Sequence, residues 1–421
     1  MSNTSEIKYK EILKRIIIQN QDRLKNLDII ERAIDLERYG NYVFVGLRRV
    51  GKTYILYQII KSQYQTEDVL FINFEDERLI GLTHNEFNVI LDAYSELYPN
   101  KEKPIIFLDE IHNVNHWDKF VRRLADNDYR VMVTGSNSKM LSSDISTVLG
   151  GRFFNKTIYP LTFTEYLKFQ KISLNSNFEY SKQLTEVKKA YSNYLQYGGL
   201  PELFKYKNKR EYLSGIYQKL FFGDVIARYN IANTKALQLL IKKIAESINN
   251  ETSINRIKNI IKSSGIPTGN NTLFEYIEFL KESFLVYSIS NYANKIVERE
   301  TKRKYYFADT GLLGLFLIDQ DTKLLENLVF VELSRRYSEQ IFYFKRKLEV
   351  DFYLPSEKLL IQVSYSIHDE ETRKREVKAL TKAMDELHIQ SGTIITYDTE
   401  DLIQLNKKII NVIPAWKWLL T

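Results

Sequence analysis

The sequence predicts an α/β fold built on a parallel sheet with helices on both faces. Short apolar runs at 42–45, 69–74, 105–108 and 130–134 alternate with segments of helical periodicity, which is typical of such a sheet. The first run leads into a glycine-containing loop, and the third ends in two carboxylates. Because ligands bind at the carboxyl ends of parallel strands, these two features predict one functional site.

Residues 1 to about 38 are predicted to form two amphipathic helices ahead of the first strand. Apolar residues recur in each segment at the spacing of one helical face. The first face comprises Ile7, Ile12, Leu13, Ile16 and Ile17, and the second comprises Leu27, Ile29, Ile30, Ala33 and Ile34.

The loop after the first strand has the pattern G-x-x-x-x-G-K-T, from Gly46 to Thr53. In such a loop backbone N–H groups surround a phosphate, and glycine permits the close approach and positive φ angles that this requires. Lys52 is expected to reach the β- and γ-phosphates, and the hydroxyl of Thr53 to ligate Mg²⁺. A helix predicted over 54–64 would turn its positive end toward the phosphates. The predicted nucleotide-binding residues are Gly46, Leu47, Arg48, Arg49, Val50, Gly51, Lys52, Thr53 and Tyr54.

The third apolar run, 105–108, delivers Asp109 and Glu110 to the same edge of the sheet. Asp109 is expected to hold Mg²⁺, usually through water, and Glu110 to polarise the attacking water. The alternative is that the two acids simply begin a loop, but the phosphate loop upstream favours the functional interpretation. Glu75 and Asp76 end the second strand, and they either assist Mg²⁺ and water or are solvated surface acids.

Further candidates follow the fourth strand. Ser136 or Asn137 would sense the γ-phosphate by hydrogen bonding, and the alternative is a strand-ending turn. The polar stretch 136–151 is predicted to be a mobile loop. Arg152 would reach a γ-phosphate in its own chain or, in a homo-oligomer, in a neighbouring subunit; otherwise it is an ordinary surface arginine. The predicted catalytic residues are therefore Lys52, Glu110, Asn137 and Arg152, and the predicted metal ligands are Thr53 and Asp109.

Composition excludes several chemistries. The chain has no cysteine, which rules out disulfides, thiolate nucleophiles and cysteine-based metal centres. The N-terminus lacks a secretory apolar core, and no apolar run approaches the roughly 18 residues of a membrane span, so a cytoplasmic protein without a membrane partner is expected.

The chain is mildly basic. Sixty basic and 53 acidic residues give a net charge of +7, which permits nucleic-acid binding without demanding it.

The middle of the chain is mainly helical and includes a winged-helix pattern. Helices predicted at 253–263 and 271–282, joined by a turn at 265–269, precede a strand at 285–289. The recognition helix would begin with Asn270, Asn271, Thr272, Glu275 and Tyr276. This module predicts either a site for double-stranded DNA or a site for a protein partner.

A second α/β region is predicted from about residue 300 onward. Strand-like runs lie at 305–307, 341–344, 350–354, 359–363 and 393–396, and helical segments lie at 324–337 and 371–387. Trp416 and Trp418 in the C-terminal tail are expected to dock on a core. Basic clusters at 302–304 and 345–347 either contact DNA phosphates or form solvated faces.

Several motifs together resemble those of bacterial and archaeal AAA-family ATPases with a C-terminal domain of unknown function. They are Gly46–Thr53, Leu108–His112 with Trp117, Thr134–Ser138, Gly150–Arg152 with Pro160–Glu165, Tyr197–Glu202, Tyr306–Leu312, Leu325–Phe330 and Glu349–Phe352. The resemblance spans nearly the whole chain and implies ATP as the nucleotide. It also implies an ATPase domain at 1–165, a helical and winged-helix domain at 166–295, and a restriction-endonuclease-like domain at 296–421.

Nucleases that share this last core hold Mg²⁺ with an Asp, and with a Glu that lies two residues before a Lys on the next strand. By this resemblance Asp351 matches the Asp, and Glu326 or Glu332 would supply an acid from a helix. Gln362 and Ser364 stand where the Glu and the Lys belong. A neutral amide is a poor Mg²⁺ ligand and serine cannot replace a cation, so we predict that this domain is inactive as a nuclease and is retained for its fold or for DNA contact.

The leading hypothesis is a Mg²⁺-dependent ATPase that couples its nucleotide state to binding of DNA or a protein partner. The alternative is a nucleotide-gated binding protein with slow turnover, which acts as a regulator or scaffold. An ATP-controlled nuclease is disfavoured by Gln362 and Ser364.

Overall fold

The computed structural model describes residues 2–141, 143–318, 321–337 and 340–421. The chain folds into two compact units, one over residues 1–158 and the other over residues 159–421. Among the described residues, no helix is both long enough and apolar enough to cross a membrane.

The first unit contains a five-stranded sheet in the order β2-β3-β4-β1-β5, in which all pairs are parallel. Its strands are β1 Asn41–Val45, β2 Val69–Asn73, β3 Ile105–Asp109, β4 Val131–Gly135 and β5 Phe153–Thr157. Its helices are α1 Ser2–Lys25, α2 Lys52–Gln63, α3 Phe87–Leu97, α4 Trp117–Asp126 and α5 Ser143–Leu149. The parallel α/β architecture and the first four strands are confirmed. The sequence analysis did not predict β5, because this edge strand has no fully buried residue and lacks an apolar run.

The second predicted N-terminal helix is wrong. Residues 27–37 are irregular, and backbone groups of Leu27 and Arg32 bond to side chains of α2. Gln58 accepts a hydrogen bond from the Arg32 N–H (2.9 Å) and donates one to the Arg32 carbonyl (2.9 Å). Lys61 donates to the carbonyl of Leu27 at 2.6 Å. The apolar residues of this segment do not form a buried face, since Ile30 and Ala33 are exposed, and their spacing does not produce a helix.

The predicted loop at 136–151 is also wrong in part, because it contains a turn at Ser138–Leu141 and the helix α5. Buried Met140 and Leu149 anchor this segment to the unit, with 3% of each residue exposed. The polar composition of the stretch concealed these two apolar contacts.

The second unit contains helices and a nine-stranded mixed sheet, in the order β13-β14-β12-β11-β10-β9-β7-β8-β6. Its strands are β6 Thr252–Ser253, β7 Val286–Asn291, β8 Lys302–Phe307, β9 Phe342–Lys345, β10 Glu349–Leu354, β11 Leu359–Ser364, β12 Ser391–Thr396, β13 Asp401–Leu405 and β14 Lys408–Pro414. Its helices are α6 Phe163–Phe169, α7 Gln183–Tyr197, α8 Lys209–Lys219, a π-helix Leu220–Ala227, α9 Thr234–Glu246, α10 Ile254–Ser263, α11 Asn270–Glu282, α12 Ile296–Thr301, α13 Thr310–Leu313, α14 Asp321–Arg336, α15 Glu370–Leu387 and α16 Ala415–Trp418.

One sheet therefore crosses the domain boundary expected at residue 295. Strand β7 lies before this position and pairs both with β8 and with β9, which lie after it. Backbone hydrogen bonds of β7 with β8 and β9 therefore join the predicted middle and last domains in one sheet. Trp416 and Trp418 of α16 are buried, as expected for a docked tail.

Candidate nucleotide-binding site

The glycine-containing loop joins β1 directly to α2 and has an unusual backbone. Gly46 has φ of 149°, Arg49 of 70° and Gly51 of 98°. A side chain at Gly46 would place its Cβ 2.2 Å from the carbonyl oxygen of Ile158, so only glycine fits there. Helix α2 begins at Lys52, immediately after Gly51, so its N-terminal end opens onto the loop.

Lys52 is almost fully buried inside the loop, with 4% of the residue exposed. Its ammonium group donates to the carbonyls of Gly46 at 3.1 Å and Leu47 at 3.2 Å. The same nitrogen lies 3.3 Å from Oε1 of Glu110. The structure therefore brings the predicted phosphate-binding lysine together with the predicted water-polarising acid.

A chain of hydrogen bonds connects the two predicted metal ligands to a residue that the sequence analysis missed. The hydroxyl of Thr53 donates to Oδ2 of Asp109 at 2.8 Å, and the hydroxyl of Thr134 donates to Oδ1 at 2.6 Å. Thr134 also accepts a hydrogen bond from the N–H of Glu110 at 2.9 Å. Two signals in the sequence pointed to Thr134, namely a hydroxyl near the end of the otherwise apolar strand β4 and its place in the motif Thr134–Ser138.

Glu110 follows β3 in a left-handed backbone conformation, with φ of 51°. Its Oε2 accepts a hydrogen bond from the N–H of Ser136 at 3.2 Å and lies 3.4 Å from Nδ1 of His112. These contacts and the one with Lys52 hold the carboxylate at the carboxyl edge of the sheet. His112 is a further residue near this acid that the sequence analysis did not assign.

The two adjacent acids have opposite electrostatic environments. Burial and the nearby Glu110 carboxylate raise the pKa of Asp109 above its ordinary value, although Thr134 and Thr53 oppose this shift. Burial alone would raise the pKa of Glu110 too, but the positive charges of Lys52, His112 and Arg48 outweigh it and lower this pKa. Glu110 is consequently the ionised partner at neutral pH, and a cation beside Asp109 would favour ionisation of that acid as well.

The donor set fits Mg²⁺ bound with a nucleotide. A hydroxyl and a carboxylate are hard oxygen ligands, which Mg²⁺ prefers. Thr53 and Asp109 would hold the ion, Lys52 would pair with phosphate oxygens, and the ion would neutralise charge on the phosphates. Val50 and Leu47 are buried and shape the loop, whereas Tyr54, 37% exposed, lies on the outer face of α2.

The two candidates after β4 differ in their contacts. Ser136 is buried, and its hydroxyl has no hydrogen-bond partner among the described residues. The Asn137 side chain instead accepts a hydrogen bond from the N–H of Lys139 at 2.9 Å, which fixes the following turn. The arrangement favours Ser136 over Asn137 as the residue available for a ligand.

The acids after β2 are engaged with arginines. Glu75 lies 2.5 Å from Nη1 of Arg48, so Arg48 of the phosphate loop contacts the loop after β2. Asp76 forms a pair with Arg78 at 2.6 Å. In this arrangement Glu75 and Asp76 stabilise loops beside the site and do not join the cluster around Asp109.

Arg152 is not brought to the site within this chain. It immediately precedes β5, and Phe153 of that strand pairs with Asn41 at the start of β1. The phosphate loop follows the other end of β1, roughly 16 Å away for a strand of this length. Arg152 forms an ion pair with Asp126 instead. A role within its own subunit is therefore wrong for this arrangement, and a role toward a neighbouring subunit stays a prediction.

Two predicted DNA-contacting residues of the second unit are buried. Tyr276 of α11 is 6% exposed, and Lys304 of the basic cluster 302–304 is fully enclosed. Both side chains point into the unit because their positions in α11 and β8 face its core.

Only one of the two helical acids proposed beside Asp351 lies next to it. Glu326 and Asp351 both contact the ammonium of Lys304. Glu332 pairs instead with Arg335 and Arg336.

Comparison with known proteins identifies relatives over the whole chain. Residues 38–167 match a family described as an AAA domain, and residues 188–347 match a domain of unknown function, DUF8612. The uncharacterized protein MJ1544 of Methanocaldococcus jannaschii is 34% identical over 438 residues, which cover 99% of this chain and 97% of that protein. An uncharacterized protein of Haemophilus influenzae is 31% identical over 346 residues, which cover 77% of this chain and 82% of that protein. Among solved structures, the Walker-type ATPase PABY2304 of Pyrococcus abyssi matches with a TM-score of 0.44 and 14% identity, over 70% of this chain and 99% of that one.

Proposed function

The chain belongs to one family with the uncharacterized protein MJ1544 and carries an AAA domain, and on this basis we propose that it is a Mg²⁺-dependent ATPase. The observation that carries the proposal is the contact between two separate motifs. Thr53 of the phosphate loop lies 2.8 Å from Asp109 of β3, and Lys52 lies 3.3 Å from Glu110. A loop lysine and hydroxyl beside two strand-end acids are the groups that bind and hydrolyse a nucleoside triphosphate in P-loop enzymes.

Each residue has a distinct role in this proposal. Lys52 binds phosphate oxygens, while Thr53 and Asp109 hold Mg²⁺. Glu110 accepts a hydrogen bond from the attacking water and orients it, which its ionised state at neutral pH permits. The free hydroxyl of Ser136 donates to the γ-phosphate, the role first considered for either Ser136 or Asn137.

The test is steady-state ATP hydrolysis by the wild type, Lys52→Ala and Glu110→Gln. We expect Lys52→Ala to lose nucleotide binding or turnover, and Glu110→Gln to bind ATP with a hydrolysis rate at least 100-fold lower. Glu77→Gln is the matched control, since Glu77 is an exposed acid in the same unit. Hydrolysis that survives in both Lys52→Ala and Glu110→Gln would refute the proposal. Tight ATP binding with slow single turnover in the wild type would favour a nucleotide-gated regulator.

We further propose that the second unit couples the nucleotide state to a partner through a winged helix. Helices α10 and α11 are followed by the antiparallel pair β7–β8, and β6 pairs with β8, which supports this assignment. Exposed residues of α11 include Glu275 and Glu278, whereas α10 presents Arg256 and Lys262. Of the two helices, α10 is thus better suited to DNA phosphates.

Adding duplex DNA to the ATPase assay tests this coupling. Stimulation of the wild type that is lost in Arg256→Ala/Lys262→Ala would establish DNA as the partner, with Glu275→Gln/Glu278→Gln as the control pair. Hydrolysis that is indifferent to DNA would redirect the search to a protein partner.

The end of the second unit is proposed to be a restriction-endonuclease-like domain without nuclease activity. The side chain of Gln362 donates to Glu376 at 2.8 Å and accepts from the N–H of Asp351 at 3.3 Å, so the amide is used in hydrogen bonding. Ser364 donates to the carbonyl of Ser366 at 3.0 Å. Mg²⁺-dependent cutting of plasmid DNA that Asp351→Ala abolishes would overturn this proposal.

A further inference from the structure

A buried lysine lies at the centre of the carboxylates in the nuclease-like region. The Lys304 ammonium is 2.7 Å from Oε1 of Glu349, 3.0 Å from Oδ1 of Asp351 and 3.2 Å from Oε1 of Glu326. Its side chain is 1% exposed. An ammonium group has three N–H donors, and here three different carboxylates use them.

The acids converge on this nitrogen from separate elements. Glu349 and Asp351 lie on β10, and Glu326 lies on α14, whereas Lys304 comes from β8. Metal ions gather carboxylates from several elements in the same way, at the shorter distances of about 2.0–2.6 Å. The ammonium therefore takes the central position that a divalent cation would need.

The carboxylates around this centre accept further hydrogen bonds. Oδ2 of Asp351 accepts a hydrogen bond from the N–H of Val363 at 2.9 Å, and Oε1 of Glu326 accepts one from the hydroxyl of Tyr306 at 2.7 Å. A cation that entered this cluster would have to displace a charged and fully hydrogen-bonded group.

We propose that Lys304 is a built-in cation that closes a latent divalent-metal site formed by Glu326, Glu349 and Asp351. This deepens the proposed loss of nuclease activity, on which it rests, and it adds a second cause beyond Gln362 and Ser364. The carboxylate cage persists without metal because the Lys304 ammonium supplies a positive charge and hydrogen bonds to all three acids. Removal of the ammonium opens the cage to Mn²⁺ or Mg²⁺.

The experiment compares thermal unfolding of the wild type, Lys304→Ala and Lys302→Ala, each in EDTA and in Mn²⁺ without nucleotide. Lys302→Ala is the matched control, because Lys302 lies on the same strand with 53% of its side chain exposed. We expect Lys304→Ala to unfold at a lower temperature in EDTA and to regain about 5 °C at saturating Mn²⁺, whereas Mn²⁺ shifts the other two proteins only to a small and equal extent. No greater Mn²⁺ effect in Lys304→Ala than in Lys302→Ala would overturn the proposal.

A second measurement applies even if Lys304→Ala does not fold. Bound Mn²⁺ is counted from the electron paramagnetic resonance signal of the free ion, for the wild type and for Asp351→Asn. Equal numbers are expected, because Lys304 excludes the ion from the wild type; one additional Mn²⁺ in the wild type would overturn the proposal. Neither measurement contains nucleotide, so failure of the proposed ATPase activity would leave both interpretable.

Discussion

At the scale of single residues, Thr134 shows how a neighbour can organise a site without contacting a ligand. Its one hydroxyl donates to Asp109 and accepts from the N–H of Glu110. The two acids differ in the proposed mechanism, since one holds Mg²⁺ and the other orients water. We infer that Thr134 is a positioning residue that fixes the spacing between these two functions.

Replacement of this hydroxyl is therefore expected to slow hydrolysis selectively. Thr134→Val keeps the side-chain shape and should lower kcat roughly 10- to 100-fold with little change in KM for ATP. Thr134→Ser keeps the hydroxyl and should restore a rate near that of the wild type. Steady-state kinetics of the two variants check this prediction, and equal rates for valine and serine would contradict it.

At the scale of elements, the segment after α1 shows that apolar spacing does not by itself make a helix. Its backbone is held by Gln58, whose side chain forms two hydrogen bonds with Arg32, and the Arg32 guanidinium donates to the carbonyl of Val50 at 2.8 Å. The segment thus connects α2 to the end of the phosphate loop. Loss of these bonds would free the chain next to the nucleotide site.

Gln58→Ala is predicted to loosen this segment locally. Removal of this partly buried hydrogen-bond partner costs about 1–2 kcal/mol, so the Arg32 amide should exchange its hydrogen about tenfold faster. Hydrogen–deuterium exchange resolved over residues 27–37 measures the effect. Gln63→Ala, at an exposed position of the same helix, is the control; equal exchange in the two variants would argue against the proposed tie.

At the scale of the whole molecule, distant parts of the sequence meet inside the second unit. Asp309 lies 110 residues after Gly199 and accepts a hydrogen bond from its N–H at 2.8 Å. The other oxygen of Asp309 accepts from the N–H of Gly311 at 2.9 Å. A Cβ on Gly198 would lie 2.1 Å from this carboxylate, which explains the glycine in the turn at 197–202.

The buried carboxyl makes the stability of this unit depend on pH. Burial raises the pKa of Asp309 from 3.8 to about 6, although the hydrogen bonds from Gly199, Leu312 and Gly311 oppose the shift. Between these values the folded protein holds a proton that the unfolded chain has lost, so the free energy of unfolding increases as the pH falls from 7 toward 4. The contribution is at most about 3 kcal/mol, and it is fully present only below the unfolded pKa.

Denaturant unfolding of the wild type and Asp309→Asn at pH 7.5, 6 and 4.5 checks this prediction. The variant cannot titrate at this position, and its amide turns an N–H group toward Gly199. The wild type should therefore gain stability over the variant as the pH falls. A difference that is constant with pH would contradict the assignment.

The sequence by itself determined the features that local backbone requirements encode. The phosphate loop is readable because positive φ angles and close approach demand Gly46 and Gly51, and the first four strands are readable because buried parallel strands are continuous apolar runs. The placement of Lys52, Thr53, Asp109 and Glu110 at one edge followed from the rule that parallel strands end together.

Only the tertiary structure decided which other side chains meet. Thr134 bridges the two acids. Arg152 lies at the amino ends of the strands, opposite the phosphate loop. Lys304 is a buried counter-ion of carboxylates rather than a DNA contact. These facts depend on pairing between segments far apart in the chain, such as β1 with β5 and β8 with β10 through Lys304 and Asp351. The spacing of residues within one segment does not predict such partners. A long-range contact depends on two segments at once, and only folding brings those segments together.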